Sequence, residues 1–357
     1  MTNAPTDVHF GSDNATGIAP AIMEAIAAAN RGGVTGYGND ALTERMEQRF
    51  ADLFETKVKV MPVGTGSIAN GLSLATVTPP WGEVFCHEAA HINVDEANGP
   101  EFFTGGAKLH LMPGENARIS AEALEVAATR YPRADVHNPL ASTVSITQAT
   151  EAGTIYSLDE VKAIGAVAKD LGLAFHMDGA RFANAVAALG CAPADITWRA
   201  GVDVLSFGAT KNGCLAVEAV VLFNPSPERA DRLNHLHKRA GQLYSKMRFF
   251  SAQLDTYVSD GNWLAWAANA NRQAKRLADG LGNLEGIALQ YPVQGNEVFC
   301  RLPRKAFDAV VAAGIGTYPL HSEKGGIGSV RFVCAFNTEA TDVDNLVQVI
   351  KSGLQRL

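Results

Sequence analysis

Two short stretches hold residues whose types and order suit chemistry: His176-Met-Asp-Gly-Ala-Arg181 and Ser206-Phe-Gly-Ala-Thr-Lys-Asn-Gly213. An apolar run, Leu171 to Met177, delivers an aspartate and an arginine to one place. A second, Val202 to Phe207, delivers a single lysine flanked by small residues. An aspartate ending one strand and a lysine in the loop after another suit pyridoxal phosphate. The aldehyde needs a lysine for a Schiff base, and the pyridine nitrogen needs a carboxylate that keeps it protonated and electron-withdrawing. A surface turn explains most lysines, and a helix cap explains most strand-end aspartates. The joint occurrence of Asp178 and Lys211, one strand apart, instead predicts an enzyme that weakens a bond at the α-carbon of an amino acid.

Other residues fall where such a site needs them. Gly64-Thr-Gly-Ser-Ile-Ala-Asn70 follows a candidate strand and opens a helix. Glycines allow close backbone approach and a helix N-terminus presents free N–H groups, so Gly64, Thr65 and Gly66 predict an anion site. The stretch also satisfies the permissive G-x-G-x-x-A dinucleotide fingerprint, with Glu88 near the place of its ribose-binding acid. A nicotinamide oxidoreductase therefore competes, although it has no use for the Asp178 and Lys211 segments. His91, in Glu88-Ala-Ala-His-Ile-Asn-Val-Asp-Glu96, is placed to stack on a cofactor ring or to exchange protons, against the commoner structural role of a lone histidine. His87 and His91 mimic two zinc ligands, but no H-E-x-x-H pattern with a third ligand follows, so no metal is expected. Arg331, inside a β-type run, is either a two-pronged carboxylate ligand or an edge-strand surface residue. Lys246-Met-Arg248 and Lys238-Arg239 are either a solvated helix face or charge for a phosphate.

The elements that must position these residues are legible as alternation. Candidate strands are Val58–Val63, Glu83–Cys86, Lys108–Met112, Val144–Thr147, Leu173–Met177, Val204–Phe207 and Ala219–Phe223. Helical stretches such as Ser67–Val77, Ser120–Arg130 and Leu158–Leu171 lie between them, the last with a Ser157-x-x-Glu160 capping box and a terminating Gly172. The pattern predicts an α/β fold with a mostly parallel, doubly covered sheet, whose sites collect beyond the strands' carboxyl ends. Helices are expected at Pro20–Asn30, Ala41–Phe54, Asp231–Leu243 and Gly261–Leu281, with a Gly-rich loop at Arg31–Asn39. The final segment is expected to hold strands near Val298–Arg301 and Val330–Cys334, and helices near Lys305–Ala313 and Asp342–Leu357.

Composition narrows the class. The 357 residues suffice for one large and one smaller domain, and 47% hydrophobic with 19% charged residues is ordinary for a globular protein. A net charge of −7 gives no reason to expect nucleic-acid or anionic-membrane binding. Five scattered cysteines without a C-x-x-C pair read as reduced thiols. No secretory signal is visible in Met1 to Phe10 and no run reaches membrane length, so the expectation is cytoplasmic.

Taken together the chain resembles the PLP-dependent low-specificity L-threonine aldolase family, in the fold type I group of the aspartate aminotransferase superfamily. The likeness runs nearly end to end. It is carried by Phe10-Gly-Ser-Asp13, Tyr37-Gly-Asn-Asp40, Gly64-Thr65, Ala89-Ala-His91 with Glu96, His176-Met-Asp-Gly-Ala-Arg181, Thr210-Lys211, Met247-Arg248 and Val330-Arg331. The resemblance implies a mostly parallel seven-stranded sheet covered by helices, with a smaller α+β C-terminal domain. It assigns 21–255 to the large cofactor-binding domain, and 1–20 plus 256–357 to the small one. It makes Lys211 the Schiff-base lysine, Asp178 the partner of the pyridinium nitrogen and His91 the stacking residue and a proton-transfer candidate. Gly64, Thr65 and Gly66 hold the phosphate. Arg331 and Ser12 bind the substrate carboxylate, with Arg181 beside the ring oxygen. Tyr37, Lys246 and Arg248 reach a neighbouring subunit's site, in a tetramer built as a dimer of dimers. The implied reaction is retro-aldol cleavage of L-threonine, L-allo-threonine and related β-hydroxy-α-amino acids to glycine and an aldehyde. A phenylserine-preferring aldolase, an aminotransferase or a β-eliminating lyase would share the cofactor residues. One stretch departs from the family: Thr147-Gln-Ala-Thr-Glu-Ala-Gly153 stands where many members have Asn-x-His-Asn-Gly. Glu151 replaces a histidine there, and the base for the substrate hydroxyl is open among His91, Glu151 and a bound water.

Overall fold

Short apolar runs rich in Val, Phe and Ala become strands buried on both faces, which requires helices above and below them. The computed structural model describes residues 8–133 and 135–355. Seven strands form one sheet: β1 (Val58–Val63), β2 (Gly82–His87), β3 (Lys108–Met112), β4 (Leu140–Thr147), β5 (Ala174–Gly179), β6 (Val204–Phe207) and β7 (Glu218–Phe223), in the order β1-β7-β6-β5-β4-β2-β3. All neighbours run parallel except β7, which is antiparallel to β1 and β6. The expected mostly parallel sheet is therefore present. Its helices are α1 (Pro20–Ala29), α2 (Ala41–Phe54), α3 (Gly66–Val77), α4 (His91–Val94), α5 (Gly99–Thr104), α6 (Ala121–Ala128), α7 (Leu158–Leu171), α8 (Phe182–Leu189), α9 (Pro227–Arg239) and α10 (Arg248–Tyr257).

After the long α11 (Asn262–Gly282) the chain builds a second, antiparallel sheet of order β10-β11-β9-β8 from β8 (Ala288–Leu289), β9 (Glu297–Pro303), β10 (His321–Lys324) and β11 (Ile327–Val333). Helices α12 (Arg304–Ala312) and α13 (Ala340–Gln355) accompany it. The first residues join this unit: Phe10 N–H donates to Gly316 O at 2.7 Å, and Val333 N–H donates to Phe10 O at 2.7 Å. Residues 1–7 of the expected small domain, and the last two of the helix expected to reach Leu357, lie outside the described residues.

Boundaries differ where local chemistry outweighs apolar pattern. Helix α9 begins at Pro227 rather than Asp231, because Ser226 caps it by accepting from Arg229 N–H and Pro227 suits the first turn. Strands β8 and β10 were not expected at all; both are fully exposed and lack apolar alternation. Helix α7 starts and stops as its capping box and Gly172 (φ 65°) direct. Among the described residues no helix is long and apolar enough to cross a membrane.

Candidate active site

The rim of the large sheet gathers the chemistry. Lys211 lies in a short 3-10 turn, Thr210–Asn212, just beyond β6. That turn is fixed from three sides. Glu218 Oε2, at the start of β7, accepts from Ala209 N–H at 2.6 Å. Thr210 Oγ1 donates to Val217 O and accepts from Val217 N–H. Asn212 Nδ2 donates to Tyr257 Oη and to Trp263 O, both at 2.8 Å. Tyr257 and Trp263 belong to the buried aromatic cluster around Phe207, with ring centroids 5.8–5.9 Å from it. Among the described residues the Lys211 ammonium has no hydrogen bond or ion pair, while Asp13, His91 and Glu218 lie within its electrostatic reach. Burial pushes the Glu218 carboxyl up to about 7.

Asp178 is the penultimate residue of β5, 4% exposed and in register with Ser206 on β6 and Thr147 on β4. Two glycines let the β5 and β6 turns touch: a Cβ at Gly208 would stand 2.3 Å from Ala180 O, and one at Gly179 would stand 2.6 Å from the Leu205 side chain. Asp178 Oδ1 accepts from Ala180 N–H at 3.0 Å, and Oδ2 from Asn70 Nδ2 at 2.8 Å. Asn70, on α3, also donates to Glu96 Oε1 at 2.8 Å, and His91 Nδ1 lies 2.8 Å from that same oxygen. A carboxylate only accepts, so His91 carries its proton on Nδ1 toward Glu96. This hydrogen bond raises His91 above the ordinary histidine value, and burial raises Glu96. Beneath Asp178, His176 bonds Ser145 Oγ at 2.8 Å and Ser206 Oγ at 3.0 Å; burial lowers it to about 4, keeping it neutral.

At the neighbouring strand end, Thr65 caps α3 by accepting from Ile68 N–H at 3.3 Å. Gly64 N–H donates to Gln242 Oε1, which also takes the Tyr244 hydroxyl. A Cβ at Gly66 would meet nothing within 4 Å, so the mouth of a twelve-residue helix is open where its first N–H groups lack partners.

The two arginines differ. Arg181 Nε and Nη2 donate to the two oxygens of Asp13, at 2.8 and 3.1 Å, and Nη1 lies 3.4 Å from Glu297 Oε2. These anions hold it charged in a site only 10% exposed. Arg331, on β11, has a 3.3 Å bond to Glu297 Oε1, donates to Gly11 O and is 33% exposed. It lines a cavity of about 560 Å³ together with Glu151. Glu151 Oε1 accepts from His91 N–H at 2.8 Å and from Thr147 Oγ1 at 2.7 Å.

The family profile described as beta-eliminating lyase matches residues 9–304. The low-specificity L-threonine aldolase of Pseudomonas aeruginosa is 43% identical over 342 residues, covering 96% of each chain. The chain belongs to the beta-eliminating lyase family, among the low-specificity L-threonine aldolases. A second aldolase of this group, from a Pseudomonas species, is 41% identical over 96% of this chain and 97% of its own. The threonine aldolase structure from Leishmania major superposes with a TM-score of 0.89 at 26% identity, covering 97% and 99% of the two chains.

Within this family member, Lys211, Asp178, His91, Gly64, Thr65, Gly66, Arg181 and Glu151 lie beyond the carboxyl ends of the large sheet's strands, and Arg331 on β11 lines a cavity with Glu151. Ser12 is beside them but buried, its hydroxyl accepting from Asn14 N–H. Two expected residues stand apart. Tyr37 is exposed at φ 62° with Lys238 Nζ 5.3 Å from its ring, and Arg248 donates to Gly32 O. His87 spends both nitrogens internally, on Ala89 N–H and Gly114 O. Sequence reasoning gave no role to Asn70, Asp13, Glu218 or Glu297. Asn70 closes the Gly-rich stretch and Asp13 follows Ser12, so both were visible. Glu297 had no sequence signal; it matters because β9 places it between two arginines.

Proposed function

We propose that this chain is a PLP-dependent low-specificity L-threonine aldolase. The observation that carries the reading is the hydrogen-bonded Asp178–Asn70–Glu96–His91 chain, buried up to the half-exposed His91, facing a lysine that pairs with none of the described residues. The residues fit the cofactor: Asn70 Oδ1 and Glu96 Oε2 are buried without partners, the α3 mouth is open, and the lysine amine is uncommitted. Bound there, pyridoxal phosphate supplies an aldehyde for amines and an electron-poor ring that takes up the pair released at a substrate Cα.

The chain's residues do the rest. Lys211 offers its amine to the aldehyde. Asp178, oriented by Asn70 and Ala180, presents a carboxylate to the pyridine nitrogen. His91, steadied by Glu96, covers the ring, and Gly64, Thr65 and Gly66 receive the phosphate. Arg331 binds the substrate carboxylate beside Ser12, and Arg181, tied to Asp13 and Glu297, holds that wall. Fixing the carboxylate selects which bond at Cα breaks. Glu151 lines the substrate cavity. The segments 21–255 and 1–20 with 256–357 act as cofactor and substrate units, a division supported by two hydrophobic cores that meet within α11. Tyr37, Lys246 and Arg248 serve a neighbouring subunit in a tetramer of paired dimers. Five free thiols support a reducing, cytoplasmic setting.

Glycine release from L-threonine, L-allo-threonine and phenylserine tests the reading. Release from the first two is expected; none from any of them overturns it.

A further inference from the structure

Retro-aldol cleavage needs a group that removes the β-hydroxyl proton, and Glu151 is a carboxylate with an unpartnered oxygen in the residues that line the cavity of Arg331. Resting on the aldolase reading above, we propose that Glu151 Oε2 is the acceptor of that proton.

Geometry comes first. The loop after β4 is held rigidly: Gln148 exchanges hydrogen bonds with the backbone of Tyr156, and Thr150 bonds Thr154 through both main chain and hydroxyl. Glu151 therefore has little freedom. Its Oε1 is filled by His91 N–H and Thr147 Oγ1, whereas Oε2 is buried with no partner. A buried acceptor without a partner carries an uncompensated desolvation cost, larger for a charge, so an incoming hydroxyl has something to satisfy. Arg331 lines the same cavity. In a β-hydroxy-α-amino acid the carboxylate and the hydroxyl-bearing carbon share one Cα, so anchoring the first at Arg331 leaves the second inside this cavity.

Proton affinity agrees. Burial lifts Glu151 to about 7, with the Asp178 charge adding to it and the bonds from Thr147 and His91 opposing it. The groups around it are Asp178 on β5, Cys86 on β2, the His91 turn, Tyr156, and, on the cavity wall, His87, Glu88, His321 and Arg331. His91 is the rival base. Its bond to Glu96 favours the protonated ring, which is a donor only. In the step itself, the hydroxyl proton passes to Glu151 and the O–H pair becomes the second bond of the aldehyde carbonyl. The Cα–Cβ bond breaks with its pair left on the glycine half. Cα later takes up one proton and Glu151 releases one, so the reaction is proton-neutral.

The parent's kcat/KM for L-threonine is expected to rise with pH through about 7 and then level. Glu151→Gln is expected to lose that limb and about 10²–10⁴-fold in kcat. Its glycine affinity, read from the cofactor absorbance, is expected to stay within a few-fold. Infrared difference spectra taken either side of the transition should show a protonated-carboxyl band in the parent that is absent from the variant. Glu151→Asp, which keeps the carboxylate, should restore the limb and part of the rate. A Glu151→Gln enzyme that keeps both the acidic limb and near-parental kcat overturns the assignment while leaving the aldolase reading intact. A parent that neither cleaves threonine nor responds to glycine removes both.

Discussion

At the scale of single residues, the site separates groups that are held from groups that are left free. Lys211 is free, and Lys211→Ala should abolish glycine release and with it the visible band of the bound cofactor; parental turnover in that variant would remove the lysine from the chemistry. Arg331 is only partly committed to Glu297 and Gly11. Arg331→Leu should lower kcat/KM toward the lower end of about 2–5 kcal/mol, since the group is partly exposed, and an unchanged kcat/KM would dismiss it. Glu218 is the buried counterpart, under the lysine turn. Burial holds its folded pKa at about 7, above the ordinary glutamate value of 4.5, so it contributes stability that is complete below 4.5 and lost as pH rises through about 7. Glu218→Gln should therefore melt closer to, or above, the parent as pH increases from 5 to 8, by an amount on the order of 3 kcal/mol at most. A melting-temperature difference independent of pH would contradict this.

At the scale of elements, glycines decide how closely turns approach. Gly165 on α7 abuts the turn Trp198–Ala200, where a Cβ would fall 1.8 Å from Ala200 O. Gly208 abuts the Asp178 turn. Gly165→Ala should cost about 1–3 kcal/mol in thermal unfolding with little effect on turnover per folded enzyme, because it separates only a covering helix from its support. Gly208→Ala should also cost turnover, because it parts Lys211 from Asp178. The large sheet was legible because strands buried on both faces leave continuous apolar runs, and α7 because its caps are explicit. Val58–Val63 and Val204–Phe207 were bounded correctly for this reason. The polar hairpin that adds β10, and the two-residue β8, had no such signature. The site was readable where residues lie on consecutive rim loops, as Asp178 and Lys211 do. Glu297 was not: its importance comes from a sheet pairing that sets it between Arg181 and Arg331, and nothing in its neighbours along the chain announces that.

At the scale of the whole molecule, Tyr37 lies against Lys238 and Arg248 donates to Gly32 O, and neither bonds a residue of the Lys211 site among those described, which is the physical ground for the proposal that they serve a partner. Arg248→Ala and Lys211→Ala, each inactive alone, should regain about a quarter of parental sites when co-refolded, if sites are shared across a two-fold interface. No recovery would confine Arg248 to its own chain. One further consequence follows from the bond between Arg331 and Gly11, which joins residues 320 positions apart. During synthesis every strand of the large sheet, and with it Lys211, has been polymerised once residue 223 is added. The wall proposed to bind a carboxylate closes only when β11 returns to the opening residues, more than a hundred amino acids later. The supports of the lysine turn, Tyr257 and Trp263, also precede β11, so the two halves of the cleft are expected to be completed in that order.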